Sequence, residues 1–457
     1  MTNSMHDIAV IGGGVVGASL ALMLESRGLD VAVIERGPYP RGSVEAWTPT
    51  RGAVTHQDQP HTLLAPVVEA LRTELPGVLA RILKAGGSLL NELAPDLIGE
   101  PSPSDDELVK LGCRRVLLET ALHDEMDARG LRPVRRNALA LDTDTTGRVT
   151  GVVCRDGTVR ARLVVDARGT ASSPLKGERA RVVEKTSSSL KYRTLWMRGP
   201  RAARPGYKIS HAPFLSLLTF EADDGLLAAT LVVSREDPVA RALRHETVFR
   251  AALSQFPGTG QFAHCQAVGP VLSCDAGGNF WSSSVHVYGP LQPGLLRTGD
   301  ALVRTNPTFG RGVSLGLNHA RRLASSIDTA LNNPVAHGVA LHRWEQKHLR
   351  PWFTAQCRVD HQREAQMAAS LAGRAPAAGP SEVDVVYQSL ARLATSDRAA
   401  ARLLAEVKHM KRSFGELRRA AETFDVPVLD QIDQPFPSRE QFERTLEPAI
   451  RATAYAD

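Results

Sequence analysis

Three glycines at positions 12, 14 and 17 and an acid at Glu35 are the first residues in the chain whose types and spacing could do chemistry. In the pattern G-x-G-x-x-G, Gly12 permits a tight turn and Gly14 lets a pyrophosphate approach the backbone. Gly17 lets a helix pack closely on a strand. A helix starting at this turn aims free N–H groups and its positive dipole end at phosphate. Glu35 follows about 20 residues on, where an acid accepts hydrogen bonds from ribose hydroxyls. A second arrangement lies far down the chain: Gly299-Asp300, then Pro307, Gly310, Arg311, Gly312 and Val313. There a Gly-Asp pair, a Pro/Gly loop and a helix start follow in quick succession, again pointing helix N–H groups at something anionic. Between the two, Arg114 and Arg115 sit in the first turn of a predicted helix. A cation is unfavourable at that end of the dipole, so either an external anion balances it or the arginine is simply exposed. His56 and His61 lie in a polar stretch, and His61 is a candidate to face the site. No His, Cys or acid cluster has metal-ligand spacing, so no metal site is expected.

The elements that must position these residues follow from periodicity. An apolar run at 7–11, a helical pattern at 18–24 closed by Gly28, and a second apolar run at 30–35 read as a βαβ unit. Residues 63–85 carry apolar positions at helical spacing, and 113–128 read as another helix. Strand-like runs at 138–141 and 151–154 suggest a hairpin, and 161–165 reads as a strand entering Asp166-Ala167-Arg168-Gly169. Alternation at 192–197, 214–220 and 226–233, with Asp223-Asp224-Gly225 as a turn, predicts an antiparallel sheet that supplies a substrate wall. A short helix is expected at 238–255 and a long one from Val313 to Leu331. The last third is helical. A small-residue linker covers 373–380, one apolar stripe runs through Val383, Val386, Tyr387, Leu390 and Leu393, and another through Leu403, Val407, Met410, Phe414 and Leu417. Such stripes are mostly packing.

Taken together, Gly12-x-Gly14-x-x-Gly17, Glu35-Arg36, Arg115, Val164-Val165-Asp166-Ala167-x-Gly169 and Gly299-Asp300-Ala301 through Pro307-x-x-Gly310-x-Gly312 resemble the FAD-dependent aromatic-hydroxylase-like monooxygenases. The loop Asn306-Pro307-x-Phe309-Gly310-x-Gly312 is similar to that of a bacterial branch that includes polyene epoxidases. The resemblance covers about residues 6–345. It implies an α/β fold in which a Rossmann-like FAD-binding domain carries an inserted antiparallel-sheet substrate domain and a helical C-terminal region. FAD binding would then occupy 1–186, with a helical insertion at about 60–100, and 271–345; the substrate sheet would span 187–270 and the helical region 346–457.

The resemblance also implies cofactor contacts. Gly12, Gly14, Val16, Gly17, Glu35, Arg36 and Leu139 would hold the ADP half of FAD, and Arg115, Asp166, Gly169 and Asp300 would contact the cofactor further along. Pro307, Gly310, Arg311, Gly312 and Val313 would line the isoalloxazine, with Arg311 and His61 as candidates for its reactive face. Three departures stand out. The histidine that the hydroxylases carry shortly after Gly-Asp-Ala is absent, Arg168 replaces a small Thr, and Val313 replaces Met. The implied activity is insertion of one oxygen atom from O2 into an organic secondary-metabolite substrate, by epoxidation or hydroxylation, through a flavin C4a-hydroperoxide. NAD(P)H would be the electron source, directly or through a separate flavin reductase. The rivals are a flavin-dependent halogenase or a prenyl reductase of related fold, a flavoprotein holding its cofactor without redox use, and a plain NAD-binding domain. There is no W-x-W-x-I-P halogenase signature.

Bulk properties narrow the classes. With 457 residues, 43% hydrophobic and 23% charged, the chain is long enough for two or three units around shared cores. The net charge of +6 is spread along the chain, with no basic run beyond Lys408, Lys411 and Arg412, so nucleic acid is not an expected partner. Five scattered cysteines without C-x-x-C spacing read as reduced thiols in a cytoplasmic protein. No apolar run approaches the roughly 18 residues of a membrane span. A small organic molecule and O2 are the expected partners.

Overall fold

A computed structural model of the chain describes residues 5–37, 57–93, 97–169, 175–178, 183–199, 208–374, 382–422, 424 and 436–453. The expectations placed on His56 and most of the 373–380 linker fall outside these residues. The central sheet has seven strands, with His6–Ile11 flanked in parallel by Val31–Glu35 and Gly157–Asp166. Val134–Arg135 extends one side, and Leu295–Arg297 lies parallel to the end of Gly157–Asp166. The first half of that long strand pairs antiparallel with Val149–Cys154, which pairs with Ala138–Thr143. The opening strand is buried on both faces, as its continuous apolar run requires. Ile8 and Val10 join the helices Val15–Glu25 and Arg115–Ala128 in one core, while Ala9 and Ile11 join the 138–159 hairpin residues in another.

The second sheet orders Lys208–His211, Leu215–Glu221, Leu226–Ser234 and Leu190–Arg198 antiparallel, with Gln266–Ala267 and Leu272–Asp275 both pairing with the last. Leu272–Asp275 lies beyond the boundary expected at 270. Side chains alternate between faces. Leu195 and Met197 pack behind the sheet with Phe249, Phe442 and Leu446, so Glu246–Leu253 and the last helix, Arg439–Thr453, cover that side. Leu190, Tyr192 and Trp196 face forward with Leu218, Phe220 and Met367, beneath the 22-residue helix Arg350–Leu371.

Three helices expected as single units are broken in two. The 63–85 stretch forms Ala65–Thr73 and Pro76–Lys84, because Pro76 lacks the N–H that would continue the first helix and suits the first turn of a new one. The 238–255 stretch forms Val239–Ala242 and Glu246–Leu253. The helix from Val313 ends at Ser325, and Ile327–Asn332 follows it. The two C-terminal stripes pack on each other through Leu390, Leu403, Val407 and Leu417, in the helices Glu382–Leu393, Arg398–Lys408 and Phe414–Ala421. None of the described helices is long and apolar enough to cross a membrane.

Candidate functional site

The glycine turn joins the opening strand to the opening helix, Val15–Glu25. Gly12 has φ +101°, and a Cβ there would come within 2.6 Å of the Ala167 carbonyl oxygen. A Cβ on Gly17 would lie 1.9 Å from the Gly12 carbonyl oxygen and 3.2 Å from the Ala167 side chain. The turn and the 166–169 segment are therefore locked together by backbone contact. Gly14 differs, since a Cβ there would meet nothing within 4 Å. The opening helix has no side-chain cap and no acid in its first turn. An uncapped helix N-terminus of this kind can receive an anion such as a phosphate.

Glu35 is held by this turn as well. Its Oε2 accepts from the Gly13 N–H and its Oε1 from the Gly37 N–H, both at 2.8 Å. A carboxylate oxygen has two lone pairs, so acceptor capacity remains for ribose hydroxyls. Behind the turn, His123 Nε2 lies 2.7 Å from the Gly13 carbonyl oxygen. Since that oxygen only accepts, the imidazole donates from Nε2. Sequence reasoning missed this buried histidine, which sits in a helix with no motif around it.

Asp166 ends its strand almost fully buried and is clamped by Arg168, whose Nε and Nη2 donate to the two carboxylate oxygens at 2.9 Å. Arg168 is thus the counter-ion of Asp166. The backbone Thr298 N–H donates to the Asp166 carbonyl at 3.0 Å, which brings the distal Gly299-Asp300 pair beside the first motif.

There the two motifs meet. Val16, in the first turn of the opening helix, would lie 3.2 Å from a Cβ on Gly299 and 2.5 Å from one on Gly316. Gly316 belongs to the distal helix, Gly312–Ser325. That helix also lacks a side-chain cap and has no acid in its first turn. Two uncapped helix N-termini and Asp300 are gathered into one region although about 300 residues separate them in sequence. Burial pushes the Asp300 carboxyl above the usual range, and the guanidiniums of Arg115 and Arg304 oppose that shift. A Cβ on Gly312 would be 3.9 Å from Asp300 Oδ1, so there is room for it within the protein. Gly310 has φ +63° and its Cβ would collide with Thr62 at 2.5 Å, which seats the loop against the segment carrying His61.

His61 Nδ1 lies 2.8 Å from the Gln59 carbonyl oxygen and its Nε2 3.4 Å from Arg115 Nη1. A guanidinium only donates, so His61 is neutral and carries its proton on Nδ1. Arg115 also donates through Nε to Glu119 Oε1 at 2.8 Å, and Gln57 donates to the other Glu119 oxygen at 3.3 Å. His61 and Arg115 are therefore brought together, with Asp300 within electrostatic reach. Arg114 is buried, and its partner comes from within the chain. Asp223 accepts from its backbone N–H at 2.6 Å, from Nε at 2.9 Å and from Nη2 at 2.6 Å. This buried pair ties the second sheet's turn to the helix Arg115–Ala128.

The remaining expected residues are more scattered. Arg311 is 3% exposed, with its guanidinium carbon 4.6 Å from the Phe309 ring centroid, 4.9 Å from Trp352 and 5.4 Å from Phe414. Its charge is stacked among aromatic rings of the C-terminal region. Leu139 is 49% exposed on the outer hairpin strand, beside a register shift between Ala138 and Ala140. Arg36 is exposed, Val313 is half-buried on the first core, and Gly169 has open space where a Cβ would project.

A polar network at the loop went unforeseen. Tyr192 donates to Asn306 Oδ1 at 3.1 Å and lies 2.9 Å from Thr308 Oγ1, so the second sheet touches the distal loop directly. The alternation that made Tyr192 a strand residue gave no sign of its hydroxyl's partner. Thr194 Oγ1 donates to Gln59 Oε1 at 2.6 Å, and Trp196 Nε1 donates to the Asp58 carbonyl at 2.9 Å. Burial of Asp58 raises its carboxyl pKa.

Comparison with known proteins agrees with this geometry. A family model described as FAD dependent oxidoreductase matches residues 7–90. No curated protein matches the chain. Among solved structures, PqsL of Pseudomonas aeruginosa, a probable FAD-dependent monooxygenase, is similar with a TM-score of 0.60 and 17% identity, over 80% of this chain and 96% of that one. The flavin-dependent halogenase CmlS gives a TM-score of 0.59 at 18% identity over 92% of this chain and 77% of its own. The Diels-Alderase PyrE3, from the biosynthetic pathway of pyrroindomycins, gives 0.61 at 14% over 89% and 80%. The chain has the fold these proteins share: a Rossmann-like sheet, further antiparallel sheets and C-terminal helices.

Proposed function

We propose that the chain is an FAD-dependent monooxygenase that inserts one oxygen atom from O2 into a small organic molecule. The observation that carries this reading is the convergence of two uncapped helix N-termini, at Gly14 and Gly312, where Val16 packs on Gly299 and Gly316 and Asp300 lies beside Gly312. A nicotinamide dinucleotide would use the first site and leave the second without purpose. FAD has a phosphate half for one and a ring half for the other. When bound, FAD supplies the activation of O2 and the two-electron chemistry of oxygen transfer.

The protein's own residues do the rest. Glu35 is positioned to accept from ribose hydroxyls, while the opening helix holds the pyrophosphate by backbone N–H groups. The dipole of the distal helix would favour negative charge on a ring bound at its N-terminus without a titrating side chain. Arg168 neutralises Asp166 so that the phosphates do not meet a bare carboxylate. Arg115 holds neutral His61 at the edge of the region, and the forward face of the second sheet closes it from the substrate side. The Rossmann-like part spans 1–186 and about 276–345, and the organic substrate lies against the sheet between them. NAD(P)H, directly or through a flavin reductase, provides the electrons. Within this class the Asn306 to Gly312 loop favours an epoxidation or hydroxylation of a secondary metabolite.

The test is isotopic. The purified protein is given reduced FAD from an external reductase, 18O2 and a bacterial metabolite extract, with and without bromide or chloride. The reading predicts enzyme-dependent products carrying one heavy oxygen atom and no halogen. Products that gain a halogen, or two hydrogens under anaerobic conditions, would replace it with the halogenase or reductase reading.

A further inference from the structure

We propose that Asp360, on the helix that crosses the front of the substrate sheet, is a positioning residue whose ionised carboxylate fixes the backbone of the 306–310 loop through Asn279. The proposal deepens the preceding reading, in which this loop lies along the flavin. The chain of contacts has a defined direction. The Asn306 backbone N–H donates to Asn279 Oδ1 at 2.7 Å, and a backbone amide can only donate. The Asn279 side chain must therefore present its oxygen to the loop and its NH2 group away from it. That NH2 donates to Asp360 Oδ2 at 2.8 Å and to Thr186 Oγ1 at 3.2 Å. Gln356, one turn back on the same helix, donates to Asp360 Oδ1 at 2.8 Å.

Both Asp360 oxygens thus receive N–H groups, one from Asn279 and one from Gln356. The amide groups bonded to the two carboxylate oxygens both donate, and such bonds are stronger to the ionised form. A proton on Oδ2 would point at the Asn279 NH2. Turning that amide over would then set its NH2 against the Asn306 N–H. A proton on Oδ1 instead, accepted by Gln356 if it turns its unpartnered Oε1 inward, leaves Asn279 a neutral and weaker acceptor, so protonation loosens the link to the loop.

Charged groups around Asp360 do little to offset its burial. Asp360 is 6% exposed and Gln356 is fully buried. Glu364, one turn on, faces it with like charge and is itself held by the Ser188 hydroxyl at 2.6 Å. Cys357 lies on the same helix, its thiol pushed up to about 11 by burial and by Asp360. Arg363 turns away to the Ala212 and Leu215 carbonyls, and Arg304 donates to the Gly277 carbonyl. Burial accordingly raises Asp360 to about 6 against its amide donors. The molecule keeps a carboxylate where an apolar or amide side chain would be easier to bury, and its donors lead to one loop.

The test reads the loop without requiring cofactor. Hydrogen exchange of peptides covering 303–312 is followed from pH 5 to 8 in the wild type, Asp360→Asn and Asn279→Ala, with rates corrected for intrinsic pH dependence. The wild type is expected to lose protection about three- to tenfold as pH falls through about 6, the equilibrium equivalent of one buried hydrogen bond. Asn279→Ala is expected to lack that protection at every pH, and Asp360→Asn, which offers Asn279 a neutral amide oxygen, to stay at the wild type's low-pH level with no transition. Should Asp360→Asn misfold, Asn279→Ala and the wild-type titration still decide the matter. Wild-type-like protection above the transition in a folded variant, or no wild-type transition near pH 6, overturns the proposal. With FAD added, the visible spectrum of the bound flavin is expected to titrate with the same midpoint in the wild type alone. Failure of FAD to bind would count against the flavin reading while leaving the exchange result to stand or fall by itself.

Discussion

Gly12 and Gly14 stand two residues apart and answer to different constraints. Gly12 needs its positive φ and touches Ala167, so Gly12→Ala is expected to destabilise the fold by about 2 kcal/mol or more, read as a lower denaturation midpoint. Gly14→Ala fills open space and is expected to change stability by less than about 1 kcal/mol. It should nevertheless weaken FAD binding at least about tenfold, the loss of one charge-assisted N–H contact. The glycine spacing and Glu35 were legible because backbone geometry leaves few residues able to do those jobs. Arg114 was only half legible. Its position at a helix start suggested an anion, but a local pattern cannot show that Asp223, 109 residues on, supplies it. Asp223→Ala strands a buried guanidinium and is expected to cost about 3–5 kcal/mol in denaturant titration. A loss below about 1 kcal/mol would show that the pair is solvated.

The elements themselves were mostly legible from period and punctuation, and the misplaced boundaries have physical causes. Pro76 ended one helix and began another, while the break at Ser326 carries no proline or glycine to announce it. What the C-terminal helices cover could not be read, because an apolar stripe does not name its partner. The contacts show it. His409, fully buried, accepts the Ala65 N–H through Nδ1 at 2.8 Å and so pins the helical region to the start of an early helix. Glu92 bridges Lys110 and Lys408 beside it, which holds its carboxyl down at about 2.

Burial depresses His409 from 6.5 to about 3. Between those values the unfolded chain binds a proton that the folded one refuses. Stability from this group is complete above about 6.5 and falls as the pH drops toward 3, by up to about 1.4 kcal/mol per unit. His409→Gln, which offers an uncharged acceptor, is expected to flatten that part of the melting-temperature profile. An unchanged slope would remove His409 as its cause.

At the scale of the whole molecule, the fold class was legible because two phosphate-type turns and one alternating segment imply two sheets and a ligand between them. The forward wall was not. Tyr192 and Asp360 reach the distal loop from separate sheet and helix elements, and only the closed fold brings them together. The account rests on one ligand spanning two distant loops. The most direct check is equilibrium binding of FAD and NAD to the wild type, Gly14→Ala and Gly312→Ala, followed by protein fluorescence. The predicted result is one FAD per chain, held at least about 100-fold more tightly than NAD, a difference of about 3 kcal/mol. Each substitution should weaken FAD while sparing the fold. Equal affinity for NAD, or a Gly312→Ala variant that binds FAD as the wild type does, would contradict the account.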